Sequence, residues 1–169
     1  MKIKSAPAKV KAAGDADGLA EGQFEAIVSA FGNKDSVGDV VIPGAFTDTL
    51  AAWAAKGDSI PVIWSHQWSD PFAHLGSVLK AEERDEGLWV RGELDLDNEK
   101  AAQVYRLLKG RRVTEFSFAY DIIEGAFVET DDEYYYELRK LDLLEVGPTL
   151  IGANRETELL AVKAHDLAA

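Results

Sequence analysis

Residues 114–120 read Thr-Glu-Phe-Ser-Phe-Ala-Tyr. In a β-strand successive side chains point to opposite faces, so Phe116, Phe118 and Tyr120 share one face and Glu115, Ser117 and Ala119 the other. Three aromatic rings in a row on one face are core material. The segment therefore predicts a strand, over 113–120, whose second face carries a small hydroxyl between Glu115 and Ala119. This strand anchors the reading of everything around it.

Downstream, apolar runs predict strands over 126–130 and 133–146, flanking the acidic turn Asp131-Asp132, and a last strand over 158–164. Upstream, Phe24, Ala26, Val28 and Ala30 alternate with Gln23, Glu25, Ile27 and Ser29, which predicts a half-buried strand. Shorter β-like runs follow at 60–65, 75–81 and 88–94, the last after the turn Asp85-Glu86-Gly87. Residues 32–44 are turn-rich around a short apolar centre at Val40–Ile42. Two segments have helical spacing instead. Residues 45–56 form one, stopped by Gly57. Residues 98–109 form the other, with Asn98 as N-cap, Gly110 as stop, and Ala101, Val104, Tyr105 and Leu108 on one face. About seven strands and two helices predict a β-rich α+β domain, a barrel or closed sheet with helices packed outside.

Composition sets the limits. A chain of 169 residues buries roughly 70% of its unfolded surface, so it needs no disulfide or metal to hold a core. There is no cysteine, which excludes a disulfide framework, a cysteine-based zinc site and a thiol nucleophile. A covalent catalyst of this sequence must use an oxygen or a nitrogen. The net charge of −12 argues against nucleic acid and anionic membrane as partners, because phosphate contacts need clustered cations. No apolar run approaches the roughly 18 residues needed to span a bilayer, and no signal-peptide core follows the first lysines. Lys2, Lys4, Lys9 and Lys11 are the only charges among residues 1–11. The expected layout is a flexible tail over 1–20, one domain over 21–164 and a short tail over 165–169.

Three residue types remain as candidates for chemistry. Of the histidines His66, His74 and His165, the last lies in the C-terminal tail. His66 ends the run PVIWSH (61–66), with Val62, Trp64 and His66 on one side, where a strand gives way to a polar loop. It is either a catalytic group or a packing histidine between Trp64 and Trp68. The spacing of His66 and His74 matches no zincin pattern, so no metal is expected. Ser117 is either a nucleophile or an ordinary surface serine, and no G-x-S-x-G elbow surrounds it. Asp142 and Glu145 stand in an otherwise apolar strand, three apart and so on opposite faces. One could orient an imidazole; the alternative is a salt bridge with Arg139 or Lys140.

The order of segments adds a resemblance. DSVGDVVIPGAF (35–46) precedes a helix, followed by PVIWSH (61–66), LGSVLKAEERDEGLWVRGEL (75–94), a second helix, EFSFAY (115–120) and LLEVGPTLIGANRET (143–157). From about residue 22 to 157 this is similar to the prohead (head-maturation) serine proteases of tailed bacteriophages. The resemblance implies a herpesvirus protease-like barrel ringed by helices. It implies a serine endopeptidase, without cofactor, that works inside the procapsid in the host cytoplasm. The substrates would be scaffold or the scaffolding segment of the major capsid protein, and the chain itself. A homodimer is plausible by the same likeness. By motif match His66 corresponds to the family's base, Ser117 to its nucleophile and Glu145, next to the competing Asp142, to its acidic member. Backbone N–H groups would form the oxyanion hole, with Arg111, Arg112 or Arg155 as possible helpers. Two positions depart from the pattern: Gly147 stands where a serine often follows Glu-Val, and Asn154-Arg155 where Asn-Pro is common. A catalytically inactive capsid-assembly scaffold or chaperone on the same fold, and a small-ligand barrel with an unreactive serine, are the competing readings. The intact His66 and Ser117 argue against the first.

Overall fold

The computed structural model describes residues 1–4, 19–151 and 158–162. In chain order its elements are β1 (Lys2–Lys4), β2 (Gln23–Ala30), β3 (Asp39–Val41), α1 (Thr47–Lys56), β4 (Pro61–Ile63), β5 (His74–Arg84), β6 (Gly87–Leu94), α2 (Glu99–Lys109), β7 (Glu115–Glu129), β8 (Tyr134–Thr149) and β9 (Glu158–Val162). All nine described strands belong to one sheet, in the order β1-β7-β8-β4-β5-β6-β2-β9, with β3 parallel beside β8.

The sheet curls on itself. Phe24 of β2 and Phe116 of β7 are far apart in strand order, yet their rings stack with centroids 5.7 Å apart. The fold is therefore the β-rich, barrel-like α+β arrangement that the patterning predicts. The interior holds the aromatic face of β7: Phe116, Phe118 and Tyr120 are fully buried, joined by Phe46, Leu138 and Leu143. Phe118 makes ring contacts at 5.5 Å with Phe46 and 5.1 Å with Tyr120. Burial raises the Tyr120 phenol, with the Asp39 and Asp35 carboxylates adding to the shift, so it stays protonated.

Both helices lie outside the barrel and follow their sequence signals. α1 closes at Gly57, in the left-handed region (φ 77°), whose N–H donates to Trp53 O at 3.2 Å. Trp53 Nε1 in turn donates to Leu143 O at 2.8 Å, fastening the helix to β8. The entrance to α1 is held by Glu83, whose carboxylate accepts from Gly44 N at 2.9 Å and Phe46 N at 3.0 Å. α2 buries Ala101, Val104, Tyr105 and Leu108, the predicted face, and Asn98 accepts from Lys100 N as its cap.

Three features differ from the expectation. The tail expected over 1–20 contains a strand, because Lys2–Lys4 pairs antiparallel with β7. The turn-rich 32–44 segment also contains one, β3. Strands expected at 113–120 and 126–130 are one strand, β7, which absorbs the irregular run between them through register shifts around Ile122, Glu124 and Gly125. Gly125 is there for packing: a Cβ on it would come within 2.6 Å of the Tyr136 hydroxyl. Residues 163–164 and the C-terminal tail, including His165, lie outside the described residues.

Phe118→Ala should lower stability by about 3–5 kcal/mol in urea denaturation, since it empties the centre of the core. Ile123→Ala, at a position 65% exposed, should stay within about 0.5 kcal/mol.

Candidate active site

The face of β7 turned away from the aromatic core carries Ser117 and Ala119. Their partners on β8 are Gly147 and Glu145, and directly paired residues share a face. Between the pairs Ala119–Glu145 and Tyr120–Leu143, β8 has one extra residue, Leu144, without a partner on β7. This bulge overturns the alternation argument for the two acids. Asp142 pairs with Asp121 and so lies on the same face as Glu145, not the opposite one. They are separated along the strand instead. Asp142 is exposed and accepts from Thr49 Oγ1 at 3.3 Å, whereas Glu145 is 2% exposed.

His66 arrives from another direction. β4 ends at Ile63, and Ser65 and His66 then adopt left-handed backbone (φ 47° and 58°). Such angles are unfavourable for these residue types and persist only where surrounding contacts enforce them. Here the contacts are visible. Ser65 N donates to Pro148 O at 3.1 Å, and the Ser65 and Thr149 hydroxyls are hydrogen-bonded at 2.9 Å. The turn is thereby pinned to the end of β8, and His66 swings over the outer face. Its position comes from this turn, not from the strand alternation with Val62 and Trp64 that the sequence suggests.

The three residues singled out in sequence meet. His66 Nδ1 is hydrogen-bonded to Glu145 Oε1, and His66 Nε2 to Ser117 Oγ. The imidazole side chain is 12% exposed and the Glu145 side chain 3%. Glu145 Oε2 is buried with no hydrogen-bond partner among the described residues. A buried carboxylate with one oxygen unpaired is costly, so its pairing with His66 matters all the more. The arrangement suits proton transfer: Nδ1–H donates to the carboxylate, which leaves Nε2 free to accept from the hydroxyl.

Gly147 makes the approach possible. A Cβ at this position would lie 1.7 Å from Ile63 O, so any side chain would push β4 off β8 just where the His66 turn begins. The departure from serine thus has a steric cause in this chain. Sequence reading did not find the pinning role of Ser65, Thr149 and Gly147; the signal was a small residue next to a strand pair, visible only once the register is known.

The loop beyond His66 is tied to α2. Trp64 N donates to Ala73 O at 3.0 Å, and Asn98 Nδ2 to Phe72 O at 2.8 Å. Asp70 is hydrogen-bonded by Lys100 Nζ and accepts from Phe72 N at 2.9 Å. The Lys100 ammonium, then the Phe72 N–H, hold the Asp70 carboxyl below its ordinary value. That tether is present at neutral pH and weakens as pH falls through the lowered value. Trp68 flanks the site, its ring 5.8 Å from that of His66, and is 46% exposed. The remaining candidates lie elsewhere. His74 is exposed at the start of β5. Arg111 directs a guanidinium N–H at Leu159 O, 3.5 Å away, and Arg112 is exposed. Asn154 and Arg155 fall outside the described residues.

A serine, an imidazole and a buried carboxylate are thus linked in this order, the arrangement on which serine hydrolases are built. A family model described as the caudovirus prohead serine protease matches residues 8–168, and the chain belongs to that family. It is 26% identical over 147 residues to the prohead protease of Enterobacteria phage HK97, covering 86% of this chain and 62% of that protein. The chain thus spans about three-fifths of that relative's length. The structure of the bacteriophage T4 capsid assembly protease superposes with a TM-score of 0.61 at 9% identity, over 88% of this chain and 95% of the other. At that identity the likeness concerns the fold.

Gly147→Ala should cost about 1–3 kcal/mol from overpacking and shift the imidazole resonances of His66 in an NMR spectrum. Unchanged resonances would mean that β4 does not carry the histidine.

Proposed function

We propose that the chain is a serine endopeptidase of phage procapsid maturation. The observation that carries this reading is the imidazole of His66 held between Glu145 Oε1 and Ser117 Oγ. Ser117 Oγ attacks the scissile carbonyl carbon while His66 Nε2 takes its proton. Glu145 fixes the tautomer and stabilises the imidazolium. The proton then passes to the leaving amine, giving an acyl-enzyme on Ser117. A water molecule, deprotonated by the same imidazole, releases the second product. Backbone N–H groups near Ser117 hold the developing oxyanion. The substrate is an extended peptide segment of a capsid or scaffold protein inside the procapsid, in the host cytoplasm. Family membership and the names of the two relatives support this choice. A homodimer is the expected form, by analogy with herpesvirus proteases. The domain over 21–164 carries the whole site.

Ser117→Ala and His66→Ala should each lower turnover by roughly 10⁴–10⁶, and Glu145→Gln by less, because the three act as a unit. The test is co-expression with the capsid and scaffold proteins, read by intact mass. New fragments from the parent and none from Ser117→Ala are expected; the same fragments from both would refute the nucleophile.

A further inference from the structure

The chain has four tryptophans. Trp53 and Trp64 are partly buried against the core, and Trp89 is 2% exposed. Trp68 alone is left 46% exposed, with its ring 5.8 Å from that of His66 and tilted 49° to it. Single apolar side chains at a surface are ordinary. This one is held in place. Trp68 N donates to His66 O at 2.9 Å, Gln67 N to Trp64 O at 3.0 Å and Asp70 N to Gln67 O at 3.2 Å. The loop then turns at Asp70, whose carboxylate is fastened to α2 by Lys100. The ring is thus fixed before anything binds, and a fixed aromatic surface loses little freedom when it is covered.

The chemistry of the site says what covers it. The imidazole stands between Glu145 and Ser117, with Nε2 toward the hydroxyl. After the serine has attacked, Nε2 passes its proton to the nitrogen of the breaking C–N bond, so that nitrogen must come within hydrogen-bond distance of Nε2. Its Cα is one bond further on, about 1.5 Å. The side chain of the residue that leaves with the amine therefore starts beside the imidazole, within reach of the Trp68 ring. The residue on the acyl side remains bonded to Ser117. An indole face takes an apolar or aromatic partner. The loop's carboxylate, Asp70, is already paired with Lys100, so it does not call for a cation.

We propose that Trp68 forms one wall of the subsite for the residue that carries the leaving amine, and that it selects a large apolar side chain there. This rests on Ser117 and His66 acting as nucleophile and base. Trp68 takes no part in the proton transfers. It acts by discriminating between substrates, and contacts of this kind separate a filled apolar subsite from an empty one by about tenfold or more.

The test begins with the fragments that the full chain forms from co-expressed capsid and scaffold proteins. The first residue of each new N-terminus is the one that left with the amine. Two versions of the substrate are then made, with Leu and with Gly at that position. They are offered together to the purified chain, so that the fragment ratio reads the ratio of kcat/KM. The parent should prefer Leu to Gly by about tenfold or more. Trp68→Ala should cut the two alike, and Trp68→Phe should keep the preference. A small fluorophosphonate, which carries no such residue, should label Ser117 of all three chains at the same rate. The ratio is taken within one variant, so a smaller folded fraction cancels. If Trp68→Ala does not label, Trp68→Gln, which keeps bulk and loses the aromatic face, takes its place. An unchanged Leu preference in these variants, or none in the parent, overturns the role of Trp68 and leaves the nucleophile standing. A parent that forms no fragments overturns the peptidase reading, and this subsite with it.

Discussion

Leu144 has no partner on β7, and the outer face of the barrel depends on that irregularity. A strand's side chains alternate strictly, so one unpaired residue changes the face of everything beyond it. With the bulge in place Glu145 pairs with Ala119 and Gly147 with Ser117, all on one side. Without it, either the aromatic core of β7 or the carboxylate would point the wrong way. The Phe116, Phe118 and Tyr120 side chains fix which face of β7 is inside; the bulge lets β8 present an acid on the opposite face while Val146 stays buried.

Around this face the support is mostly backbone. β4 crosses so closely at Gly147 that no side chain fits between. The strained Ser65–His66 turn is restrained by a backbone bond to Pro148 and a hydroxyl pair with Thr149. The strain of two left-handed residues is offset by these contacts. Asp70, Asn98 and Lys100 then hold the far side of the same loop to α2. The imidazole is thus positioned from both ends of its loop by elements that themselves pack on the core.

What could be read in advance follows from how local each signal is. α2 was legible to the residue, because its cap, its stop and its apolar face all lie within one segment. β7 was legible as a strand with an aromatic inside face, and Ser117 as the odd small residue on the other. The three-residue strands β1, β3 and β4 are too short to carry a period and are held by partners remote in sequence. Alternation alone could not choose between Asp142 and Glu145, since it counts residues and the bulge inserts one. His66 was found, but for an incomplete reason: the strand run that suggested its direction ends three residues earlier, and a turn supplies the rest.

The order of these residues along the chain has a further consequence. His66 and Glu145 are 79 positions apart, with Ser117 between them. The turn that carries the histidine is anchored on Pro148 and Thr149, near the end of β8. During synthesis the histidine and the serine therefore leave the ribosome well before the strand that brings them together. A fragment ending before residue 149 lacks the anchor of the His66 turn, so the three side chains are first held together when the barrel is nearly complete.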